Sequence, residues 1–161
     1  MTDWATIIHE HGPLAFDTAW RILGNASDTE DAVQEAFMAA LRIHRTQTVR
    51  NWTALLCRLA SCRALDLLRK RRRLAPFDHE PPAPASASPE AAAVATERAA
   101  LLREALTKLP DREAEVFSLR YFGELSNPEI AEALQMKVGA VAVALHKART
   151  RLQAMLQPEL E

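Results

Sequence analysis

Five prolines crowd one short stretch of this 161-residue chain, and they decide its organisation. From Leu74 to Ala95 the sequence reads LAPFDHEPPAPASASPEAAAVA, with prolines at 76, 81, 82, 84 and 89. Proline lacks a backbone N–H and its ring clashes with the preceding turn, so no continuous helix can run through such a segment. Pro, Ala and Ser without periodicity predict an extended, flexible linker over 74–95. That linker separates residues 1–73 from residues 96–157. Each piece is small enough to be only marginally stable alone, so contact with a partner would help to hold it.

Both pieces read as helical, giving an all-α chain. Ala, Leu, Glu and Arg are abundant and are good helix formers, and there are only 4 glycines. Trp4, Ile7 and Ile8 begin a helix that continues from Leu14 to Leu23 after Pro13, and Gly24-Asn25-Ala26 signals a turn. Ser27 with Glu30 three residues on predicts a capping box at the next helix. Val33, Phe37, Ala40 and Leu41 make its apolar stripe, and Ile43 to Asn51 reads as a polar loop. A third helix starts near Asn51, carries Trp52, Leu55, Leu56 and Leu59, and ends in RKRRR. Beyond the linker, Leu101, Leu102, Leu106 and Leu109 form a stripe. Pro110 and Asp111 restart the chain into a helix with Val116, Leu119 and Tyr121, which Gly123 closes. Ser126 and Glu129 predict another capping box, with Pro128 in the first turn. A short helix to Leu134, a turn over Gln135 to Val138 and a long helix from Gly139 to Leu156 have helix-turn-helix spacing, which points to DNA.

Net charge is -1 and carries no signal, but its distribution does. Charged residues from Met1 to Ala40 are nearly all acidic; from Leu41 to Arg73 they are nearly all basic. Such segregation predicts two different partner surfaces in one domain. Cys57 and Cys62 sit five residues apart on one predicted helix, point in different directions and do not pair. No His lies at finger spacing from them, so no metal site is expected. Free thiols fit a reducing, cytoplasmic setting. MTDWATIIHE lacks the basic start and apolar core of a signal peptide, and no apolar run approaches the length a membrane helix needs. Neither a Ser/His/Asp set nor a glycine-rich phosphate loop is visible, and His9 and His11 around Glu10 read as surface residues. No catalytic residue, cofactor or small-molecule substrate is therefore expected.

Three stretches resemble one family. LPDREAEVFSLRYFGELSNPEIAEALQMKVGAVAVALHKARTRLQ resembles the promoter-binding C-terminal domain of extracytoplasmic-function (ECF) sigma factors of the sigma-70 family. SDTEDAVQEAFMAALR resembles the family's polymerase-binding helix, and NWTALLCRLASCRALDLLRKRRR its helix for the −10 promoter element. Their order and spacing agree over most of the chain outside the linker and ends. The resemblance implies an alternative sigma factor that binds bacterial core RNA polymerase, recognises promoter DNA and opens its strands. An anti-sigma factor is a further expected partner. Residues 1–73 would be the region 2 domain and 96–157 the region 4 domain.

By the same resemblance, Asp31, Gln34, Glu35 and Met38 face the polymerase; carboxylates there can take charge-assisted bonds from arginines. Thr46, Gln47, Thr48 and Asn51 line the loop that holds a flipped base, where polar groups can read its Watson–Crick edge. Arg58, Cys62, Leu65 and Arg69 share a helix face beside the apolar stripe, and with Arg63 and Arg72 would lie along the −10 strand. Two departures stand out there: Cys62 replaces a frequent Asn, and Leu55 fills an aromatic position. Trp52, three residues earlier, is either core or a stacking surface.

The −35 element would be met by Lys137, Ala140, Val143, Ala144, His146, Lys147, Arg149 and Arg151. Gln135 stands where the family commonly has Gly for a left-handed turn, at a cost on the order of 1 kcal/mol. Lys137 replaces a frequent Ser cap. Ala140, Ala142, Val143 and Ala144 can touch thymine methyls but cannot make bidentate base contacts. Two readings follow: shape-based, A·T-tolerant recognition of DNA, or a protein-binding face. The second allows a sigma-like interaction protein that binds polymerase or an anti-sigma factor and initiates nothing.

Overall fold

Helix ends set the architecture. Asp3 accepts a hydrogen bond from the Ala5 amide and opens α1 (Trp4–Leu23). This helix runs straight through Pro13, which is exposed, so the carbonyl it strands can meet water. Gly24 ends α1 in the left-handed region at φ 74°. Asn25 follows at once as cap of α2 (Ala26–Thr46), its side chain accepting from the Asp28 amide. A simple Asn cap therefore replaces the expected capping box at Ser27: Asn25, directly after the left-handed glycine, caps two residues earlier, and Ser27 lies inside the helix. Asn51 accepts from the Ala54 amide at the start of α3 (Trp52–Leu74).

The computed structural model describes residues 3–74 and 89–160, and the second part adds α4 (Pro89–Leu106), α5 (Asp111–Tyr121), α6 (Asn127–Leu134) and α7 (Val138–Leu160). All seven elements are α-helices, so the described chain is all-α, as its sequence predicts. Two boundaries differ from expectation. α2 runs to Thr46, which shortens the polar loop to residues 47–51. Residues 89–95, read as extended linker, are the first turns of α4: Pro89 sits at the helix start, where its missing N–H costs nothing, and Glu-Ala-Ala-Ala follows. The rest of the expected linker, 75–88, lies outside the described residues.

α1, α2 and α3 pack together. α2 buries a row of small residues, Thr29, Ala32, Ala36 and Ala40, with Val33 and Phe37 only partly covered beside it. Ile22, Leu23, Leu56 and Leu65 supply the bulk, each contributing about 1.5–3 kcal/mol by burial. α5, α6 and α7 form a second group around Val116, Leu119, Leu125, Ile130, Val141 and Leu145. α4 lies on α7.

The two groups are not separate. α3 packs on α5 and α6, and α1 on α4 and α5. Ala54 and Cys57 of α3 belong to the cluster of Val116 and Leu119, while Leu106 and Leu109 join the cluster of Ile22 and Leu56. Leu65, expected on the basic ridge of α3, is buried in this core, because that side of the helix is covered too. Tyr121, expected in an apolar stripe, is 41% exposed.

Trp52 forms part of an aromatic knot. Its ring lies 5.4 Å from Trp4, edge-on, and 5.4 Å from His44. Both tryptophans are half-buried against the core, so Trp52 is a packing residue.

Candidate nucleic-acid and polymerase interface

The helix-turn-helix is built from local chemistry. At α6 the Ser126 hydroxyl accepts from the Glu129 amide at 3.3 Å, and the Glu129 carboxylate accepts from the Ser126 amide at 3.0 Å. This is the reciprocal box read from the sequence, with Pro128 in the first turn. These bonds hold the Glu129 carboxyl below the usual carboxylate range, and Asn51 adds to the effect. Gln135 ends α6 in the left-handed region at φ 55°. The turn then leads directly into α7, whose Val141, Leu145, Ala148 and Leu152 are all buried, as the periodicity predicts.

Successive residues of a helix turn by about 100°, and this sorts the −35 candidates. Lys137, Ala140, Val143, His146 and Lys147 are exposed. Ala144 is not: it is 9% exposed and belongs to the core. Three residues after Val141, it returns to within about 60° of the buried stripe, so its assignment to DNA is corrected. Arg149 and Arg151 are exposed but engaged with α5. Arg149 donates to the Tyr121 hydroxyl at 2.9 Å, and Arg151 pairs with the buried Glu113 carboxylate at 2.9 Å.

The −10 candidates lie around the start and one side of α3. Thr46, Gln47 and Thr48 are exposed. Gln47, Thr48, Asn51 and Arg58 line one wall of a cleft of about 440 Å³, whose other wall carries Glu129, Glu132 and Gln135. Arg58, Cys62, Arg69 and Arg72 follow one another along α3 on the side turned to α4 and α5. Arg69 pairs with Asp111 at 2.9 Å, and Arg72 with Glu104 at 2.5 Å. The Cys62 thiol donates to Glu115 at 3.5 Å, and the Asn51 amide to Glu129 at 3.2 Å. Arg63 points elsewhere, to Glu35 of α2. Burial raises both thiols to about 11; Glu115 adds to the shift at Cys62, while Thr18 partly offsets it at Cys57. Both cysteines are free.

On α2, Asp31, Gln34, Glu35 and Met38 are exposed together, with Met38 at 53%. Glu35 and Met38 border a cleft of about 330 Å³ shared with Arg42, Cys62, Arg63 and Asp66. An apolar groove of about 570 Å³ is lined by Leu102, Phe117, Tyr121, Leu152 and Leu156. Neither this groove nor the carboxylates opposite α3 were identified from the sequence. Both arise from which helix meets which, and no local spacing encodes that. Among the described residues no helix is long and apolar enough to cross a membrane, and no side-chain group is placed to hold a metal ion.

The described residues thus carry an acidic outer face on α2, a basic α3 and a helix-turn-helix over α6 and α7, in that order. The family model for sigma-70 region 2 matches residues 7–74, and that for sigma-70 region 4 matches residues 99–152. The ECF RNA polymerase sigma factor SigW of Bacillus subtilis (strain 168) is 30% identical over 96% of this chain and 89% of its own length. The ECF RNA polymerase sigma factor SigE of Mycolicibacterium smegmatis is 28% identical over 97% of this chain and 62% of its own length. Among solved structures, CnrH in complex with the cytosolic domain of CnrY has a TM-score of 0.64 at 25% identity, covering 96% of this chain and 87% of CnrH. The sigma factor RpoE in complex with the anti-sigma factor NepR from Bartonella quintana has a TM-score of 0.63 at 20% identity, over 98% of both chains, and shares the fold. The chain belongs to the extracytoplasmic-function RNA polymerase sigma factors of the sigma-70 family, and is not an enzyme.

Proposed function

We propose that this alternative sigma factor acts in the cytoplasm with the labour divided by segment. Residues 1–73 dock on core polymerase through Asp31, Gln34, Glu35 and Met38. They engage the −10 element through the 47–51 loop and the basic side of α3. Residues 96–157 meet the −35 duplex with Lys137, Ala140, Val143, His146 and Lys147. The observation that carries the −35 reading is the capped α6, the left-handed Gln135 and the exposed start of α7 in direct succession. Apolar side chains there favour contact with thymine methyls and groove shape over hydrogen-bonded base readout. An anti-sigma factor is the proposed regulator, and the groove around Phe117 and Leu152 offers it an apolar seat.

One observation favours a second reading. Val138 and Val143 are 48% and 55% exposed at the start of the recognition helix, a surface that suits protein as well as DNA. On that reading the chain binds polymerase or a regulator without initiating.

Mapping transcript starts on fragmented genomic DNA, with core polymerase in the presence and absence of the chain, tests the proposal. New starts sharing an upstream motif support initiation. Co-elution with polymerase but no new starts supports the second reading, and a gain of transcription in Ala142→Lys would then identify the recognition helix as the missing part.

A further inference from the structure

One glycine stands where the fold does not call for one. Gly24 is held at φ 74°, and a Cβ on Gly123 would press on the Leu119 carbonyl at 3.0 Å. Gly139, in the first turn of α7, has neither reason to be glycine. Its backbone is not left-handed, and an added Cβ would meet nothing within 4 Å beyond the adjoining residues and the helix's own backbone. Glycine weakens a helix relative to alanine, so this position lowers helix support and keeps the space above it open.

Val143 follows four residues later, within about 40° of Gly139 around the helix. It is 55% exposed, and the buried residues Val141, Leu145 and Ala148 lie roughly opposite. Ala140 and Ala142 are exposed on either side. No side chain from Gly139 to Val143 can donate or accept a hydrogen bond. That capacity begins at His146 and Lys147, a turn further on. In a helix-turn-helix the first residues of the second helix meet the base edges.

Thymine presents the major groove with a keto oxygen and a C5 methyl, whereas cytosine presents an amino group. Methylated at C5, cytosine carries the same methyl at the same place. Only a hydrogen-bonding side chain can tell those two bases apart. We propose that Gly139 and Val143 form a methyl reader, in which the C5 methyl of one pyrimidine fills the space over Gly139 and lies against Val143. Recognition at that position follows the methyl and not the base that bears it, so 5-methylcytosine replaces thymine and uracil does not. The inference rests on reading the start of α7 as the −35 surface.

To test it, core polymerase carrying the full chain first selects duplexes from a random-sequence pool. Within the upstream element of the selected sequence, each thymine in turn is replaced by deoxyuridine, or by deoxycytidine or 5-methyldeoxycytidine opposite guanine. Binding is compared by competition. At one thymine, deoxyuridine should weaken binding about fourfold, the effect expected of one buried methyl group. Deoxycytidine should weaken it at least as much, and 5-methyldeoxycytidine should restore it to within about twofold of thymine. In Val143→Ala and in Gly139→Ala, thymine and deoxyuridine should bind within about twofold of each other. Gly139→Ala should also raise the thermal midpoint, which separates its loss of methyl preference from a folding defect.

Deoxyuridine binding as tightly as thymine throughout the upstream element overturns the proposal. So does an upstream element without thymine, or 5-methyldeoxycytidine binding no tighter than deoxycytidine. A methyl preference that survives in both variants belongs to other residues and overturns it equally. In each of these cases the selected upstream element leaves the −35 reading standing. Selection of duplexes with no upstream element, or of none at all, overturns that reading and the methyl reader with it.

Discussion

Gly24 and Gln135 both end their helices in the left-handed region, but only glycine does so without a clash at Cβ. Gln135→Gly should therefore stabilise the protein by on the order of 1 kcal/mol, seen as a rise in thermal midpoint. An unchanged or lower midpoint would mean that the Gln135 side chain contributes more than its backbone costs. At the other end of the same helix, Ser126→Ala should cost about 1 kcal/mol by stranding the Glu129 amide. Glu129 adds a pH dependence whose sign is fixed. Its folded pKa lies below the ordinary glutamate value, so its stabilisation is complete above the unfolded pKa and is lost as pH falls through the lower folded one. Glu129→Gln keeps a capping partner without the charge and should flatten the acid side of the stability profile. Melting at neutral pH and below the carboxylate range checks this.

At the scale of elements, the row Thr29, Ala32, Ala36 and Ala40 lets α2 lie close against its neighbours. Ala32 and Ala40 of that row are fully buried in the core. Ala32→Leu should destabilise by about 1–3 kcal/mol through overpacking, measured by urea denaturation. Helices and their order were legible in the sequence because apolar periodicity and caps are local. Ser126, Glu129 and Pro128 were read correctly for that reason, and so was the buried stripe of α7. Ser27 was misread because Asn25, also a good cap, stands two residues earlier. Ala144 was misread because alanine is at home both on a helix surface and in a core, so its type gives no direction. The buried side of α3 at Leu65 and Cys57 was hidden for a different reason: its cover comes from helices more than forty residues away in the chain.

At the scale of the whole molecule, the proposed division of labour splits α3 between Arg63 and Arg69. Arg63 is turned to Glu35 of α2, whereas Arg69 is turned to Asp111 of α5. In complex with polymerase, Arg69→Ala should weaken promoter binding and reduce the salt slope by about one phosphate contact. Arg63→Ala should leave that slope nearly unchanged and act on the affinity for core polymerase. Filter-binding over a salt series distinguishes them, and equal slopes for both variants would contradict this division of α3.

The aromatic knot has an optical consequence. His44 closes α2, Trp52 opens α3, and the loop of residues 47–51 lies between them. A protonated imidazole held against an indole quenches its emission, so in acid, with the ring charged, a strand that displaces this loop should change the light the protein gives off. Trp20, the remaining tryptophan besides Trp4, stacks on Phe16 elsewhere in α1 and can be replaced by Phe to remove background. Promoter melting could then be followed in time by intrinsic fluorescence, with no dye on the DNA and no label on the protein.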